Sequence, residues 1–503
     1  MKRYLLLLTC LAFTAVATAQ VDQDDWLVDD EWIEQSDYDQ FKRQSEKRFN
    51  DFRDSINIAF ARALDGKWNP FEVEKPQQRP RQPEPKEPPV APPPMPGSQP
   101  VPQDTARPLP VGPVVPAPEP QPEPKRQLPL PPPAKTTQEL LMSYCGTKLM
   151  LELPLQTTLD QCRLASSDES AVSRFWEQLS NADFQSSINQ LLLRQQQLRL
   201  NDWGIYDLTL SLSKQLFPNN SNEQVVATVF LLNQMEYDAL VCRYDKGLAC
   251  LLNIGTTVYD IPYLIKDDTR YYILLPDDSQ PDLEGQVYTY SVHFPSATLS
   301  FGMQLDKSPL FPTVGSQSYN RIVRGHNVKI TADKNLIDFY SHYPQVEMNL
   351  YANAAVSPLL ASQLENAFRP LVQGKGERDA VAALLNYVQY GFDYATDDEQ
   401  FGYEKPFFLM ENFYYPKNDC EDRAILLSWL VRYLLDMDVV LLHYTNHLSM
   451  AVHFSTSVPG THVMVGGKRY VECDPTYIGA DIGQTQPSYR DIEAEVIALG
   501  KLK

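Results

Sequence analysis

The sequence predicts an α+β protein with more than one folded region, and three observations support this prediction. The chain has 503 residues, more than a single hydrophobic core usually organises. Amphipathic helical patterns and short strand-like apolar runs are mixed along the chain after about residue 136. Ahead of that part, residues 70–133 hold 25 of the 41 prolines, a composition that cannot build a core.

The first residues, 1–19, are typical of a secretory signal peptide. Lys2 and Arg3 form the charged start, Leu5–Val16 is an apolar run too short for a permanent membrane anchor, and the stretch ends on an Ala-Thr-Ala cleavage site. A lipid-anchored alternative would use Cys10. No later run is long and apolar enough for a membrane helix. We therefore expect an exported protein that is secreted, periplasmic or associated with the cell envelope.

The charge balance excludes one class of partner. The formal net charge is -20 at pH 7 and the pI is about 4.8. Nucleic-acid phosphates select surfaces rich in Lys and Arg, so nucleic acid is not an expected partner.

Residues 20–68 predict an acidic segment followed by an amphipathic helix. Apolar residues recur at three- and four-residue steps over 49–64, and Gly66 and Pro70 end the pattern. The stripe consists of Phe49, Phe52, Ile56, Phe60, Ala63 and Leu64. One interpretation is a helix that packs on its own protein or on a copy of itself. The other is a helix that binds a partner, and a protein is favoured over lipid because the polar face lacks Lys and Arg.

Residues 69–135 predict a proline-rich tether in extended polyproline II conformation. Two interpretations remain open for this segment. It is either a solvated spacer without a specific ligand or a tether that crosses an envelope compartment. Both imply that the folded part of the chain does not need it.

Three modules are predicted after the tether. Residues 136–287 form an α+β module, 288–350 a β-rich segment and 351–503 a second α+β module. The first module loosely repeats the apolar pattern of the last one. In that comparison Asn222 and Asp260 take the positions of Cys420 and Asp474 of the last module. The first module is then either a degenerate copy of the last one or similar to it by chance in its apolar pattern.

Three residues of the last module predict a thiol active site. Cys420 opens a helical pattern, where exposed N–H groups favour a thiolate and can hold an oxyanion. His447 opens a strand-like run, and Asp474 closes another just before Pro475. A cysteine nucleophile, an imidazole base and a carboxylate that orients the imidazole suit acyl transfer.

Each member of this triad has a structural alternative. Cys420 could be a buried inert thiol and Asp474 a turn residue. Three other histidines compete with His447, namely His443, His453 and His462. A zinc site is disfavoured because neither Cys420 nor Cys473 has a second ligand at short spacing. The sequence does not fix the disulfide pairing either, and the local candidates are Cys242–Cys250 and Cys145–Cys162.

In these motifs the chain resembles the transglutaminase-like superfamily in its exported bacterial form. The resemblance is carried by NDCEDRAILLSWLVR, NHLSMAVHF and YVECDPTY, around Cys420, His447 and Asp474. It implies a papain-like α+β core in which these residues are nucleophile, base and orienting carboxylate. The chain departs from the usual pattern at Asn418, where glycine is frequent, and at Leu448, where aromatic residues are frequent.

The expected activity is hydrolysis of peptide or amide bonds, with a protein or peptide substrate that could come from the cell envelope. The resembling family also contains protein cross-linking enzymes and inactive members, so the fold alone does not choose the reaction. The alternatives are a cross-linking transglutaminase and a non-enzymatic envelope scaffold. Nothing in the sequence indicates a cofactor or a metal.

Overall fold

Two six-stranded sheets organise the part of the chain that the structure describes. The structure is a computed structural model that describes residues 53–79, 86–92, 109, 111–115, 137–277, 283, 285–313 and 315–502. The predicted signal peptide, Phe49 and Phe52 lie outside these residues. All described residues belong to one compact unit, Arg53–Lys503. Helices and strands are both abundant, which confirms the predicted α+β class.

The helices and strands have the following bounds. The helices are α1 (53–64), α2 (Gln156–Leu159), α3 (Glu169–Asn181), α4 (Gln185–Leu198), α5 (Asp202–Leu216), α6 (Ser221–Gln234), α7 (Lys334–Ser341), α8 (Met348–Asn353), α9 (Pro358–Val372), α10 (Glu377–Gly391), α11 (Asp397–Gln400) and α12 (Cys420–Leu435), with 3₁₀ turns at Glu411–Phe413 and Pro487–Tyr489. The strands are β1 (Asn69–Glu72), β2 (Val111–Val115), β3 (Thr137–Tyr144), β4 (Thr147–Pro154), β5 (Ala239–Tyr244), β6 (Gly247–Asn253), β7 (Tyr263–Lys266), β8 (Thr269–Leu274), β9 (Gln286–Thr289), β10 (Ser316–Val323), β11 (His326–Asp333), β12 (Asp393–Tyr394), β13 (Lys417–Asn418), β14 (Val439–Tyr444), β15 (His447–His453), β16 (His462–Val465), β17 (Lys468–Glu472) and β18 (Ala494–Ala498).

The two large sheets share one strand order. The first runs β1-β9-β5-β6-β8-β7 and the second runs β2-β18-β14-β15-β17-β16. In each sheet, a long helix precedes the central hairpin and packs on it. Helix α6 packs on β5 and β6, and helix α12 packs on β14 and β15. The one difference in strand direction is at the edge, where β1 is antiparallel to β9 and β2 is parallel to β18. The internal repeat predicted from the apolar pattern is therefore present in the topology.

The N-terminal helix packs on the protein's own core. Phe60 and Leu64 of α1 are buried, and so is Trp68 just after it. The Phe60 ring lies 5.0 Å from Trp176 of α3, centroid to centroid, and 5.2 Å from Phe294. The described part of this apolar face that contains Phe60 and Leu64 is thus covered within the chain, as in the first interpretation of the stripe.

The prediction of a free tether at 69–135 is wrong wherever the structure describes that segment. Strand β1 pairs with β9, β2 pairs with β18, and Val90 bridges to Ile478. Both strands lie at a sheet edge, where one side of the backbone needs no partner and proline is tolerated. Composition alone does not exclude such edge strands, and for this reason the sequence prediction failed.

The predicted β-rich segment 288–350 is only partly β. Its longest strands are β10 and β11, which form a hairpin. Residues 297–305 of this segment make only isolated bridges, at Leu299 and Phe301. At the end of the segment, residues 346–352 contain most of α8, which begins at Met348. Short apolar runs do not distinguish a strand from a buried helix, which accounts for this error.

The six cysteines of the described residues are all free thiols. In the hairpin of β5 and β6, Cys242 faces Ala249 and Cys250 faces Val241. Because neighbouring residues of a strand point to opposite faces, Cys242 and Cys250 lie on different sides of the sheet. Cys145 and Cys162 are not bonded to each other either. Every helix within the described part of the chain is too short or too polar to cross a bilayer.

Candidate active site

Cys420 is the first residue of α12, as the sequence predicted. The helix start is fixed by Asp422, whose carboxylate accepts hydrogen bonds from the backbone N–H of Asp419 (3.3 Å) and of Phe407 (2.9 Å). Asn418, which replaces the glycine frequent in the resembling family, is buried. Its side chain contacts Asn412 and Arg423 at 3.0 Å each. The cysteine is therefore held at a positive helix end by a rigid buried turn.

His447 lies directly opposite Tyr444 across a two-residue hairpin turn, at the end of the second sheet. Its Nε2 lies 2.9 Å from Oδ2 of Asp474. The other carboxylate oxygen of Asp474 accepts hydrogen bonds from the backbone N–H of Thr476 (2.8 Å) and Tyr477 (3.2 Å). Because Asp474 binds Nε2, the nitrogen that remains for the thiol is Nδ1.

Asp474 is ionised in this environment. Burial alone would raise the pKa of its carboxyl group, but the nearby His447 and hydrogen bonds from His447, Gln486 and Thr476 outweigh burial and keep the pKa below its usual range. A permanent carboxylate favours the imidazole tautomer with a proton on Nε2 and stabilises an imidazolium. The carboxyl group thus has the charge that an orienting residue requires.

Cys420 and His447 line the same cavity, which has a volume of about 610 Å³. The Sγ of Cys420 accepts a hydrogen bond from the backbone N–H of Leu448 at 3.4 Å. The Cys420 thiol donates to the carboxylate of Glu421, with 3.0 Å between sulfur and oxygen. The structure therefore brings the three predicted site residues together: Cys420 and His447 at one cavity, and Asp474 behind the imidazole.

Three further residues hold the imidazole and its carboxylate, and none was predicted from the sequence. The ring of Tyr489 stacks on His447 at 5.0 Å, centroid to centroid, with 15° between the planes. The side-chain amide of Gln486 donates to Asp474 at 2.7 Å. Gln389, on α10, donates to the backbone oxygens of Tyr477 and Ala480 and so fixes the loop after Asp474. Tyr489 is in a 3₁₀ turn, Gln486 directly precedes that turn, and Gln389 is on a distant helix, so no spacing rule links them to the triad.

The competing histidines have other partners. His443 Nδ1 lies 3.0 Å from Glu495, His453 Nδ1 lies 3.0 Å from the backbone oxygen of Arg469, and His462 Nδ1 lies 3.2 Å from the backbone oxygen of Gly460. Of these three, only His443 lines the cavity at Cys420. His447 alone combines a position at the cavity with a buried carboxylate that orients its ring.

Carboxylates dominate the lining of the cavity. The acidic residues there are Asp397, Asp398, Glu399, Glu404, Asp419 and Glu421. Only two Lys or Arg side chains accompany them, Arg79 and Lys86. Three of the acids, Asp397, Asp419 and Glu421, are buried and have oxygen atoms within 4.8 Å of one another. Crowded carboxylates repel one another, so a cationic group entering the cavity would lower the electrostatic free energy of the site.

Glu472 is a second buried carboxyl group behind the triad. It accepts hydrogen bonds from the hydroxyl groups of Ser449 (3.1 Å) and Thr485. Burial, and then the charge of Asp474, raise the pKa of Glu472 to about 8. At neutral pH this carboxyl group is therefore largely protonated in the folded protein.

Glu472 should make the folded protein less stable as pH rises from about 5 to 8. The Glu472 side chain loses its proton near pH 4.5 in the unfolded chain and only near pH 8 in the folded chain. Between these two pH values the free energy of unfolding therefore falls by roughly 1.4 kcal/mol per pH unit. Asp474 does not contribute in this window, because its stabilising effect is lost only at lower pH. Urea unfolding of wild type and Glu472→Gln at pH 5, 6, 7 and 8 measures the effect. The free energy of unfolding should fall less steeply in the variant; parallel pH profiles would contradict the assignment.

The first sheet repeats the geometry of this site without its chemistry. The backbone N–H of Leu248 donates to Oδ1 of Asn222 at 2.8 Å. The backbone N–H of Leu448 makes the equivalent contact with the Cys420 sulfur. Gly247 is the first residue of β6, in the place that His447 has in β15. Asn222 therefore makes the contact that Cys420 makes, although it is the second residue of α6 and Cys420 is the first residue of α12, and no imidazole stands at the histidine position.

The predicted counterpart of Asp474 is wrong. Asp260 precedes β7, whereas Asp474 follows β17, and the counterpart of β17 in the strand order is β8. The two segments share an apolar pattern but lie at different places in the two sheets. The first half of the repeat therefore lacks nucleophile and base.

Comparisons of this chain with protein-family models, with curated proteins and with solved structures found no match.

Proposed function

We propose that the protein is a cysteine amide hydrolase, a peptidase or amidase of transglutaminase-like type. The observation that carries this proposal is the juxtaposition at one cavity of a thiol at a helix start and an imidazole whose Nε2 is bound by Asp474. Buried inert thiols have no need of a neighbouring histidine–carboxylate pair. Such a pair is the arrangement that activates a nucleophile.

The reaction begins with transfer of the thiol proton from Cys420 to Nδ1 of His447. The thiolate attacks the amide carbonyl, and the first N–H groups of α12 face the negative charge that develops on the oxygen. Collapse of the tetrahedral intermediate breaks the C–N bond, and His447 returns the proton to the leaving amine. A thioester on Cys420 and a free amine result.

Hydrolysis of the thioester completes the cycle. His447 takes a proton from water, the resulting hydroxide attacks the thioester carbonyl, and the C–S bond breaks. The sulfur regains a proton from the imidazolium, and a carboxylic acid leaves. Atoms and charges balance without a metal or an organic cofactor. Asp474 keeps the imidazole oriented through both halves of the reaction.

The acidic lining supports a substrate class. The two basic residues of the lining pair with two of its six acids, Arg79 with Glu404 and Lys86 with Glu399, so acidic residues remain in excess there. A peptide or amide with a Lys or Arg side chain, or another cationic group, near the bond to be cleaved complements this excess of negative charge. The same carboxylates favour the protonated form of an amine that enters as a second substrate. A protonated amine is not a nucleophile, so water is the favoured acceptor and hydrolysis is favoured over cross-linking.

The test uses two matched peptide amides that differ only in a Lys or Glu next to the scissile bond. Wild type should release amine from both, with a kcat/KM at least about tenfold higher for the Lys peptide at low salt, and added salt should reduce the ratio. A labelled primary amine is included to detect transfer. Equal rates for the two peptides would contradict the substrate class. Faster amine incorporation than hydrolysis would change the reaction to cross-linking. Absence of both reactions over a panel of cell-wall and protein substrates would remove the enzymatic proposal.

A further inference from the structure

A second cluster of reactive side chains lies outside the cavity at Cys420. Cys145 is in the turn between β3 and β4, Asp207 is on α5, and His342 immediately follows α7. A sulfur, a carboxylate oxygen and a ring nitrogen of these residues all lie within 4.8 Å of one another. His342 Nδ1 is 3.0 Å from Oδ2 of Asp207. None of the three lines the cavity at Cys420.

The donor atoms match a particular class of metal ion. A thiolate, an imidazole and a carboxylate together are ligands of borderline ions such as Zn²⁺, whereas Ca²⁺ and Mg²⁺ prefer oxygen alone. Bond lengths of about 2.0–2.3 Å to a tetrahedral zinc place the ligand atoms about 3.3–3.6 Å apart. The nitrogen–oxygen pair is already close to that separation, and the sulfur needs to approach each of the other two atoms by no more than about 1.5 Å.

The backbone around the cluster is held in place. Cys145 has a φ of +41° and is followed by Gly146 with a φ of +68°. A Cβ atom on Gly146 would approach the Asn335 side chain of α7 to 2.3 Å, so the turn packs directly against that helix. At the other end of α7, the Trp203 indole donates to the backbone oxygen of His342 at 3.0 Å. Close packing of the three elements keeps the three ligands together before any metal binds.

The open side of the cluster leaves room for a fourth ligand. Cys145 is buried and Asp207 is mostly buried, whereas the His342 side chain is 46% exposed. A water molecule can therefore reach a metal from the histidine side and complete four-coordination. The sequence did not indicate this site, because its three ligands are far apart in the chain and no short-spacing motif links them.

We propose that Cys145, Asp207 and His342 bind one Zn²⁺ ion, with the Cys145 proton released to solvent as the thiolate forms the metal bond. The bound ion joins the β3–β4 turn to α5 and α7 and stabilises the first half of the molecule. This site is independent of the proposed hydrolase activity, because none of its ligands contacts the triad or the cavity.

The test uses the full chain, freed of metal with a chelator and then titrated with Zn²⁺. A Cys420→Ala background removes the most accessible competing thiol. This protein should bind one equivalent of Zn²⁺ and gain thermal stability from it, and His342→Ala should lose about 100-fold or more in affinity and most of the stabilisation. His342→Ala is the main variant because its half-exposed side chain can be removed without opening the core. Cys162→Ser, at a buried cysteine outside the cluster, is the matched control and should bind as its parent does.

Cobalt provides the second measurement. Co²⁺ at a site with a thiolate ligand gives a near-ultraviolet charge-transfer band, which should be present in the Cys420→Ala parent and absent from Cys145→Ser in the same background. Equal Zn²⁺ affinity in the parent and in His342→Ala would overturn the proposal. So would a cobalt spectrum without a thiolate band. Neither result would bear on amide hydrolysis by the protein with Cys420 intact.

Discussion

Replacement of Cys420 by alanine should lower the rate of amide hydrolysis by about 10⁴-fold or more while the fold is retained. The side chain is small, and alanine is well tolerated at the first position of α12. The proposed reaction has no thioester without the sulfur, and His447 has no nucleophile to activate. Removal of the nucleophile of a catalytic triad typically leaves only the contribution of binding and of the oxyanion donors. Initial rates on the Lys peptide, with circular dichroism to verify folding, measure the effect.

Cys473 provides the matched control for this variant. It is fully buried directly before Asp474, and its thiol donates to the backbone oxygen of Val471 at 3.6 Å. Burial, together with the carboxyl groups of Glu472 and Asp474, holds the pKa of the Cys473 thiol well above its usual range, so this thiol stays protonated. Cys473→Ala should therefore keep a rate within a few-fold of wild type. If Cys473→Ala lost the activity and Cys420→Ala kept it, the nucleophile would be misassigned.

The triad could be predicted from the sequence because each member stands at a boundary between local patterns. Cys420 starts a helix, His447 starts a strand after a tight turn, and Asp474 follows the end of a strand, and the structure has all three boundaries where the sequence indicates them. Such boundaries are local features of the chain. In contrast, Gln486 and Tyr489 hold the triad through tertiary contacts that no local pattern records.

The acidic lining of the cavity could not be predicted from local sequence patterns either. Asp397 belongs to a short helix that precedes α12 by about 20 residues, and its carboxylate comes close to Asp419 and Glu421 only in the folded chain. A net charge of -20 indicates many surface acids but does not indicate where they converge. The charge of the site, and with it the proposed substrate class, follows from the structure alone.

The repeated topology shows what the sequence comparison could and could not find. The apolar pattern matched α6 and the following hairpin to α12 and its hairpin, and the shared strand order agrees with that match. The match failed beyond the hairpin, at Asp260, because Asp260 lies before β7 whereas Asp474 lies after β17, so the hairpin of β7 and β8 has no counterpart in that match. Asn222 and Gly247 stand where the second half has Cys420 and His447, so the first half keeps the packing of the repeat and lacks its reactive groups.

A chain that begins at residue 136 should fail to fold cooperatively, although the proline content of the preceding segment suggested the opposite. Phe60, Leu64 and Trp68 are at most 4% exposed in the full chain, and the shortened chain lacks all three. Removal of one large buried apolar side chain costs about 3–5 kcal/mol, and folded domains are typically stable by only about 5–15 kcal/mol. Loss of β1 would also uncover β9 at the edge of the first sheet. Urea unfolding followed by circular dichroism measures the difference from a chain that begins at residue 45.

Point variants keep this prediction testable if the short chain cannot be purified. Phe60→Ala should lower the free energy of unfolding by about 3–5 kcal/mol, because the ring fills space against Trp176 and Phe294. Arg62→Ala, on the exposed side of the same helix, should change it by less than about 0.5 kcal/mol. Equal effects of the two substitutions, or a chain from residue 136 that unfolds cooperatively at the wild-type urea midpoint, would mean that the N-terminal helix is dispensable. The expected contrast instead makes residues 53–79 part of the folding unit that positions the cavity at Cys420, since Arg79 at the end of this segment lines it.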